Sequence, residues 1–133
     1  MNAAILTNEF PPEIYGGAGI HVKFLTQELA KLCHVEARCF GVQNVDENNV
    51  RALGFSRKLG LNPEDDRFQK IFKPLDIDLQ WAASLKDIDV VHCHTWYSHF
   101  GGVLASRLLQ CPLILTTHSL EPHRPWKAEQ LGD

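Results

Sequence analysis

The chain has 133 residues, of which 44% are hydrophobic and 22% charged, and its formal net charge is −3. That length suits one domain able to bury a core, and the composition is that of an ordered globular chain. Acids and bases are interspersed, with no basic stripe to follow a phosphate backbone and no apolar run of about 20 residues, so neither a nucleic-acid nor a membrane partner is expected.

The first residues carry no basic n-region before an apolar stretch, so no secretory signal is read and a cytoplasmic location is expected. Ala3–Thr7 is a short apolar run closed by Asn8 and Pro11–Pro12, which suits a buried strand and forbids helix directly after it. A cluster of Gly16, Gly17 and Gly19 follows. From Ala18 to Leu32 the pattern is helical, with Val22, Leu25, Leu29 and Leu32 on one stripe. Val35–Val42 is the next strand, so the opening third reads as a βαβ unit and predicts a parallel sheet.

Gln43–Asp89 holds most of the charge, and short helices are expected near Glu47–Leu53 and Leu75–Leu85. Asp89–His94 is a β-branched strand, Ser98–Leu109 a helix, and Leu113–Thr117 another buried strand. Cys33, Cys39, Cys93 and Cys111 lie in or beside apolar runs without a C-x-x-C pair, which reads as small hydrophobes rather than a disulfide framework.

Three loops follow strands: Asn8–Gly19, Thr95–Ser98 and His118–Trp126. In an open parallel sheet, ligands bind outside the carboxyl ends of the strands. A glycine cluster opening a helix admits a ligand close to backbone N–H groups, and a nucleotide diphosphate is its natural guest. A tight turn explains the same glycines without a ligand. The third glycine of the dinucleotide fingerprint is missing, and so is the Gly-Lys-Ser/Thr of a P-loop. His92 and His94 share one face of their strand, and with no third ligand evident no metal site is assigned. His94, Trp96 and Tyr97 are placed to line a crevice with an aromatic platform for a sugar, although core packing would also account for Trp96. His118 falls just past a strand, and Arg124 and Lys127 after it suit a phosphate or carboxylate. Glu9 and Glu13 flank the prolines, but nothing sets them across a scissile bond as a hydrolase would need.

Taken in order, NEFPPEIYGGAGIHV, DVVHCHTWYSHFGG and TTHSLEPHRPWKAEQLG resemble the retaining GT-B glycosyltransferases of the glycogen-synthase and related family 4 kind. The last motif is similar to the branch of actinobacterial-type glycogen synthases that includes ADP-glucose-dependent maltose-1-phosphate synthases. The resemblance spans the chain outside Gln43–Asp89. It implies an α/β fold, a Rossmann-like open parallel sheet with helices on both faces. Residues 1–133 would be part of the N-terminal, acceptor-side domain, and the C-terminal domain that mainly holds the nucleotide sugar is not in this chain.

The resemblance further implies that Gly16 and Gly17 approach the donor diphosphate and that His118 lies against the transferred glucose. Glu9, His94, Trp96, Tyr97, Arg124 and Lys127 would line the cleft. Thr95 and Tyr97 stand where the H-x-H-D-W-H pattern of bacterial glycogen synthases has aspartate and histidine. The expected partners are a nucleotide sugar, ADP-glucose foremost, and an α-glucan or glucose 1-phosphate acceptor. No cofactor is implied. A transferase with another acceptor, a non-catalytic sugar- or partner-binding module and a nicotinamide-dependent oxidoreductase are the alternatives. Uncovered apolar surface and sheet edge would favour self-association.

Overall fold

The computed structural model describes residues 1–119. Its elements in chain order are β1 (Asn2–Leu6), α1 (Gly17–Leu29), β2 (His34–Phe40), β3 (Asn44–Glu47), β4 (Val50–Phe55), α2 (Gln69–Ser84), β5 (Val90–His94), α3 (His99–Leu109) and β6 (Leu113–Thr116). The strands form one six-stranded sheet in the order β3-β4-β2-β1-β5-β6, parallel except for the antiparallel β3–β4 edge.

Alternation along the strands divides the core between two faces. Ala3 and Ile5 of β1, with Val35, Ala37 and Cys39 of β2, pack against Val22 of α1. Ala4 and Leu6 of β1, with Val91 and Cys93 of β5, face Ile77 and Trp81 of α2 and Ala105 of α3. Helices therefore cover both faces, as the resemblance implied. Close packing sets the glycines of α3: a Cβ at Gly102 would collide with Sγ of Cys93, and one at Gly101 would lie 2.7 Å from Oδ1 of Asp78. All four cysteines are free, and burial pushes the thiols of Cys39 and Cys93 up to about 12, which leaves them inert packing groups.

Three expectations change. Glu47–Leu53 is not helical: Asn48 and Asn49 adopt φ 51° and 65° and turn β3 into β4. Asparagine is among the few residues that tolerate this left-handed pair, and it closes a two-residue hairpin. Helix α2 begins at Gln69 and runs through Pro74, earlier than expected. Leu32 lies beyond α1 and is exposed, so the buried side of that helix is made by Val22 and Thr26.

The chain builds outward from β1 through β2 to β4, then crosses back to place β5 on the other side of β1. That reversal puts a topological switch point between the carboxyl ends of β1 and β5, where an open α/β sheet leaves a crevice. The loops carrying Glu9 and Trp96–Tyr97 leave from these two strands. At the opposite side of the sheet from β3, Ile114 and Leu115 of β6 are 48% and 47% exposed, so among the described residues this edge is uncovered.

Candidate active site

At the switch point the loop after β1 folds back on the start of α1. Gly16 is the N-cap, in extended conformation and without a side-chain cap. Oε2 of Glu9 accepts hydrogen bonds from the backbone N–H of Tyr15 and of Gly16, each at 2.9 Å. A carboxylate thus occupies the positive end of α1, the position assigned above to a donor phosphate. The Gly16 amide expected to approach a donor diphosphate is here engaged by Glu9. Gly17 opens the first turn, whose N–H groups have no intrahelical acceptors, and a Cβ on it would meet nothing within 4 Å. The glycine that the packing requires is Gly19, where a Cβ would lie 2.6 Å from Oε2 of Glu9.

β5 ends in a sharp junction. Thr95 has φ 69°, an outlier for a β-branched residue, and its N–H donates to the carbonyl of Thr116. This kink presents Trp96 and Tyr97 in a single 3₁₀ turn, their rings 4.1 Å apart. Trp96 is 53% exposed, which rules out plain core packing for it. Both rings line a cleft of about 790 Å³ bounded by Asn8, Glu13 and Tyr15 of the first loop, Phe40 and Gly41 at the end of β2, and the start of α2.

Three cations, Arg57, Lys70 and Lys73, line that cleft against one carboxylate, Glu13. The Arg57 guanidinium is held by the carbonyl of Leu61 and the side chains of Asn62 and Gln69. Asp76 pins the same loop by accepting from the N–H of Lys58 and Leu59, at 3.0 and 3.1 Å. Burial alone would raise the Asp76 carboxyl, but these amides and Gln80 outweigh it and hold the group below the usual range. Sequence reasoning missed Arg57, Lys70 and Lys73, because they lie in the middle stretch that shows no motif. Glu13 was noticed only beside Glu9, and the two carboxylates face different surroundings.

On the α1 side of β5, four imidazoles converge. The β5–β6 register pairs His94 with Thr116 and so carries His118 alongside, with His94 Nδ1 3.0 Å from His118 Nε2. His92 Nε2 is 2.7 Å from Oγ1 of Thr116. His21, from α1, brings its ring centroid to 5.4 Å from His94 and 5.1 Å from His118. His94 is fully buried beneath the rim rather than lining the cleft, while His118 and His21 are exposed. Burial, then the neighbouring imidazoles, depresses the His94 pKa to about 3. Burial and His21 also lower that of His118, opposed by the carboxylate of Glu9. His94 is therefore neutral at pH 7, and His118, exposed above it, is the ring of this pair that can meet a hydroxyl-bearing ligand. His21 was not foreseen, since nothing in a helical stretch marks one histidine as facing a strand end. Arg124 and Lys127 lie outside the described residues.

This end of the sheet thus offers a helix N-terminus, an aromatic platform, a cationic cleft wall and clustered imidazoles. Residues 15–132 match Glycosyltransferase Family 4. The chain is 42% identical to the alpha-maltose-1-phosphate synthase of Mycolicibacterium smegmatis over 99% of its own length and 32% of that protein's. It is 27% identical, over 91% of its length, to an uncharacterized glycosyltransferase of Methanocaldococcus jannaschii. In structure it resembles the sucrose-phosphate synthase of Thermosynechococcus elongatus, with a TM-score of 0.67 at 18% identity, covering 97% of this chain and 36% of that one. It spans about a third of the length of these relatives. The chain belongs to glycosyltransferase family 4.

Proposed function

We propose that this chain forms the acceptor-side wall of a retaining glucosyltransferase that passes glucose from ADP-glucose to a sugar phosphate, glucose 1-phosphate. The observation that carries the choice of acceptor is the cationic lining of the cleft. Arg57, Lys70 and Lys73 surround a space whose floor is the Trp96–Tyr97 platform. A neutral α-glucan needs aromatic stacking and hydroxyl partners but no such charge; a phosphate dianion is matched by it. The name of the bacterial relatives, alpha-maltose-1-phosphate synthase, supports the same reading.

In this reading the acceptor lies with its ring against Trp96 and its phosphate toward Lys70 and Lys73. His118, at the neighbouring strand end, meets the transferred glucose. The first-turn N–H groups of α1 from Gly17 onward face the departing diphosphate, with Glu9 fixing the loop rather than binding the donor. Stabilising a leaving diphosphate and an oxocarbenium-like sugar requires a closed, water-poor cleft. The share of the relatives' length not matched by this chain would supply the opposite wall.

Calorimetric titration of the chain tests the acceptor. Glucose 1-phosphate is expected to bind, and the double variant Lys70→Ala, Lys73→Ala to weaken it roughly tenfold or more, with steep salt sensitivity. A neutral maltooligosaccharide binding equally well, and indifferently to those lysines, would replace the sugar phosphate by a glucan as acceptor.

A further inference from the structure

We infer that Glu13 is the specificity-determining residue of the cleft: its carboxylate accepts hydroxyls of the acceptor ring, so that a sugar phosphate is chosen over other small phosphate esters. This rests on the sugar-phosphate reading above and gives a role to the one carboxylate which that reading leaves unused.

Strand order lays the cleft out in a line. Arg57 follows β4, Gly41 follows β2, Glu13 belongs to the loop after β1, and Trp96 and Tyr97 follow β5. Lys70 and Lys73 reach in from α2. In strand order the carboxylate therefore falls between the cations and the aromatic platform. A ring lying on Trp96 with its phosphate toward the lysines brings its hydroxyls to Glu13.

The position of Glu13 is built in. Its backbone N–H donates to the carbonyl of Phe10 at 3.0 Å, and the same carbonyl accepts from Nε2 of Gln43, a buried side chain. At the end of β2, a Cβ on Gly41 would lie 2.7 Å from Oε2 of Glu13. Gly41 also has φ 124°, so glycine is required there by both conformation and space, and the carboxylate lies against it.

The charge of Glu13 works against a phosphate taken alone, since a carboxylate repels a dianion. Three cations line the same cleft, yet among the described residues the Glu13 side chain makes no ion pair and no hydrogen bond. Glu9 differs, because its Oε2 already accepts from two backbone amides. Both oxygens of an ionised carboxylate are acceptors only, so their partner is an uncharged donor. Ring hydroxyls supply that donor, and a bond given to a charged group is of the stronger kind.

The two effects of Glu13→Gln have opposite signs. Losing the charge makes the cleft more positive and favours any phosphate, whereas losing the charged acceptor penalises only the sugar. Calorimetry of glucose 1-phosphate and of methyl phosphate, on wild type and on a variant whose thermal melt verifies its fold, separates them. Glucose 1-phosphate is expected to bind the variant about fivefold more weakly or worse, and methyl phosphate as well as before or better. On the ligand side, at least one monodeoxy glucose 1-phosphate should bind wild type more weakly than the parent and lose little more in Glu13→Gln. Both ligands tightening together would reduce Glu13 to its charge, and both weakening together would make it a loop support; either overturns the inference. So does glucose 1-phosphate binding that needs Lys70 and Lys73 but is indifferent to Glu13→Gln, which leaves the acceptor reading standing. Absence of glucose 1-phosphate binding to wild type removes both.

Discussion

A methyl group added at Gly19 probes the loop on which the site depends. A Cβ there would lie 2.6 Å from Oε2 of Glu9 and 2.9 Å from both Cβ of Glu9 and Cγ2 of Ile14. The carboxylate oxygen can swing aside, but Cβ of Glu9 is fixed to the backbone, so the loop must move with it. Swinging releases the two bonds that Oε2 accepts from Tyr15 and Gly16. Bonds to an ionised group contribute about 1.5–3 kcal/mol each, and partial exposure here puts the pair near the lower figure. Overpacking adds about 1–3 kcal/mol, offset by about 1 kcal/mol of alanine helix propensity. The net expectation for Gly19→Ala is a loss of about 2–3 kcal/mol. Gly17→Ala in the same turn meets nothing within 4 Å and is expected to be neutral or stabilising. Urea unfolding of the pair reads the difference as a shift in midpoint at constant slope. Equal midpoints for the two variants would refute the claim that Glu9 is wedged between Gly19 and the helix amides.

Asp78 is buried between α2 and α3, and burial pushes its carboxyl up to about 7, opposed by the N–H of Gly101. A carboxyl raised in the folded state costs stability as it ionises, so stability should decline from about pH 4 to pH 7 and level off above, by at most about 4 kcal/mol. Urea midpoints of Asp78→Asn against wild type across that range should diverge with rising pH, and parallel curves would remove the assignment. At the α3–β5 contact, Gly102→Ala drives a methyl into Sγ of Cys93 and should cost about 1–3 kcal/mol, relieved when Cys93→Ala is added. A double-mutant cycle with no coupling would contradict that packing. Finally, the purified chain should not turn over ADP-glucose by itself, since one wall cannot enclose the transition state; product formation in a discontinuous assay would reverse this.

The sheet was largely legible because its strands are short β-branched or apolar runs ended by Gly, Pro and Asn, and because helical periodicity falls between them. The β3–β4 hairpin was not. Its strands of four and six residues alternate too briefly, and the turning pair Asn48–Asn49 also reads as a loop. The expected helix at Leu75–Leu85 fell short of α2, which begins at Gln69 and carries Pro74 inside. At the site, the shared face of His92 and His94 could be read because strand parity fixes it, and Trp96 and Tyr97 because they follow the end of that strand. The convergence of His21 and His118 on His94 depends on strand order and register, which no local pattern encodes. The engagement of Gly16 by Glu9 was hidden for a similar reason: a carboxylate seven residues earlier can reach a helix N-terminus only if the intervening loop folds back.

The account is tested most directly by following the backbone and indole N–H resonances of the isotope-labelled chain as glucose 1-phosphate is added. Perturbations should centre on the Trp96 indole, Tyr97 and the first turns of α2 at Lys70 and Lys73, and vanish when both lysines are replaced by alanine. Perturbations confined to the amino ends of the strands, or a Trp96 resonance unmoved at saturation, would contradict a sugar-phosphate cleft at the β1–β5 switch point.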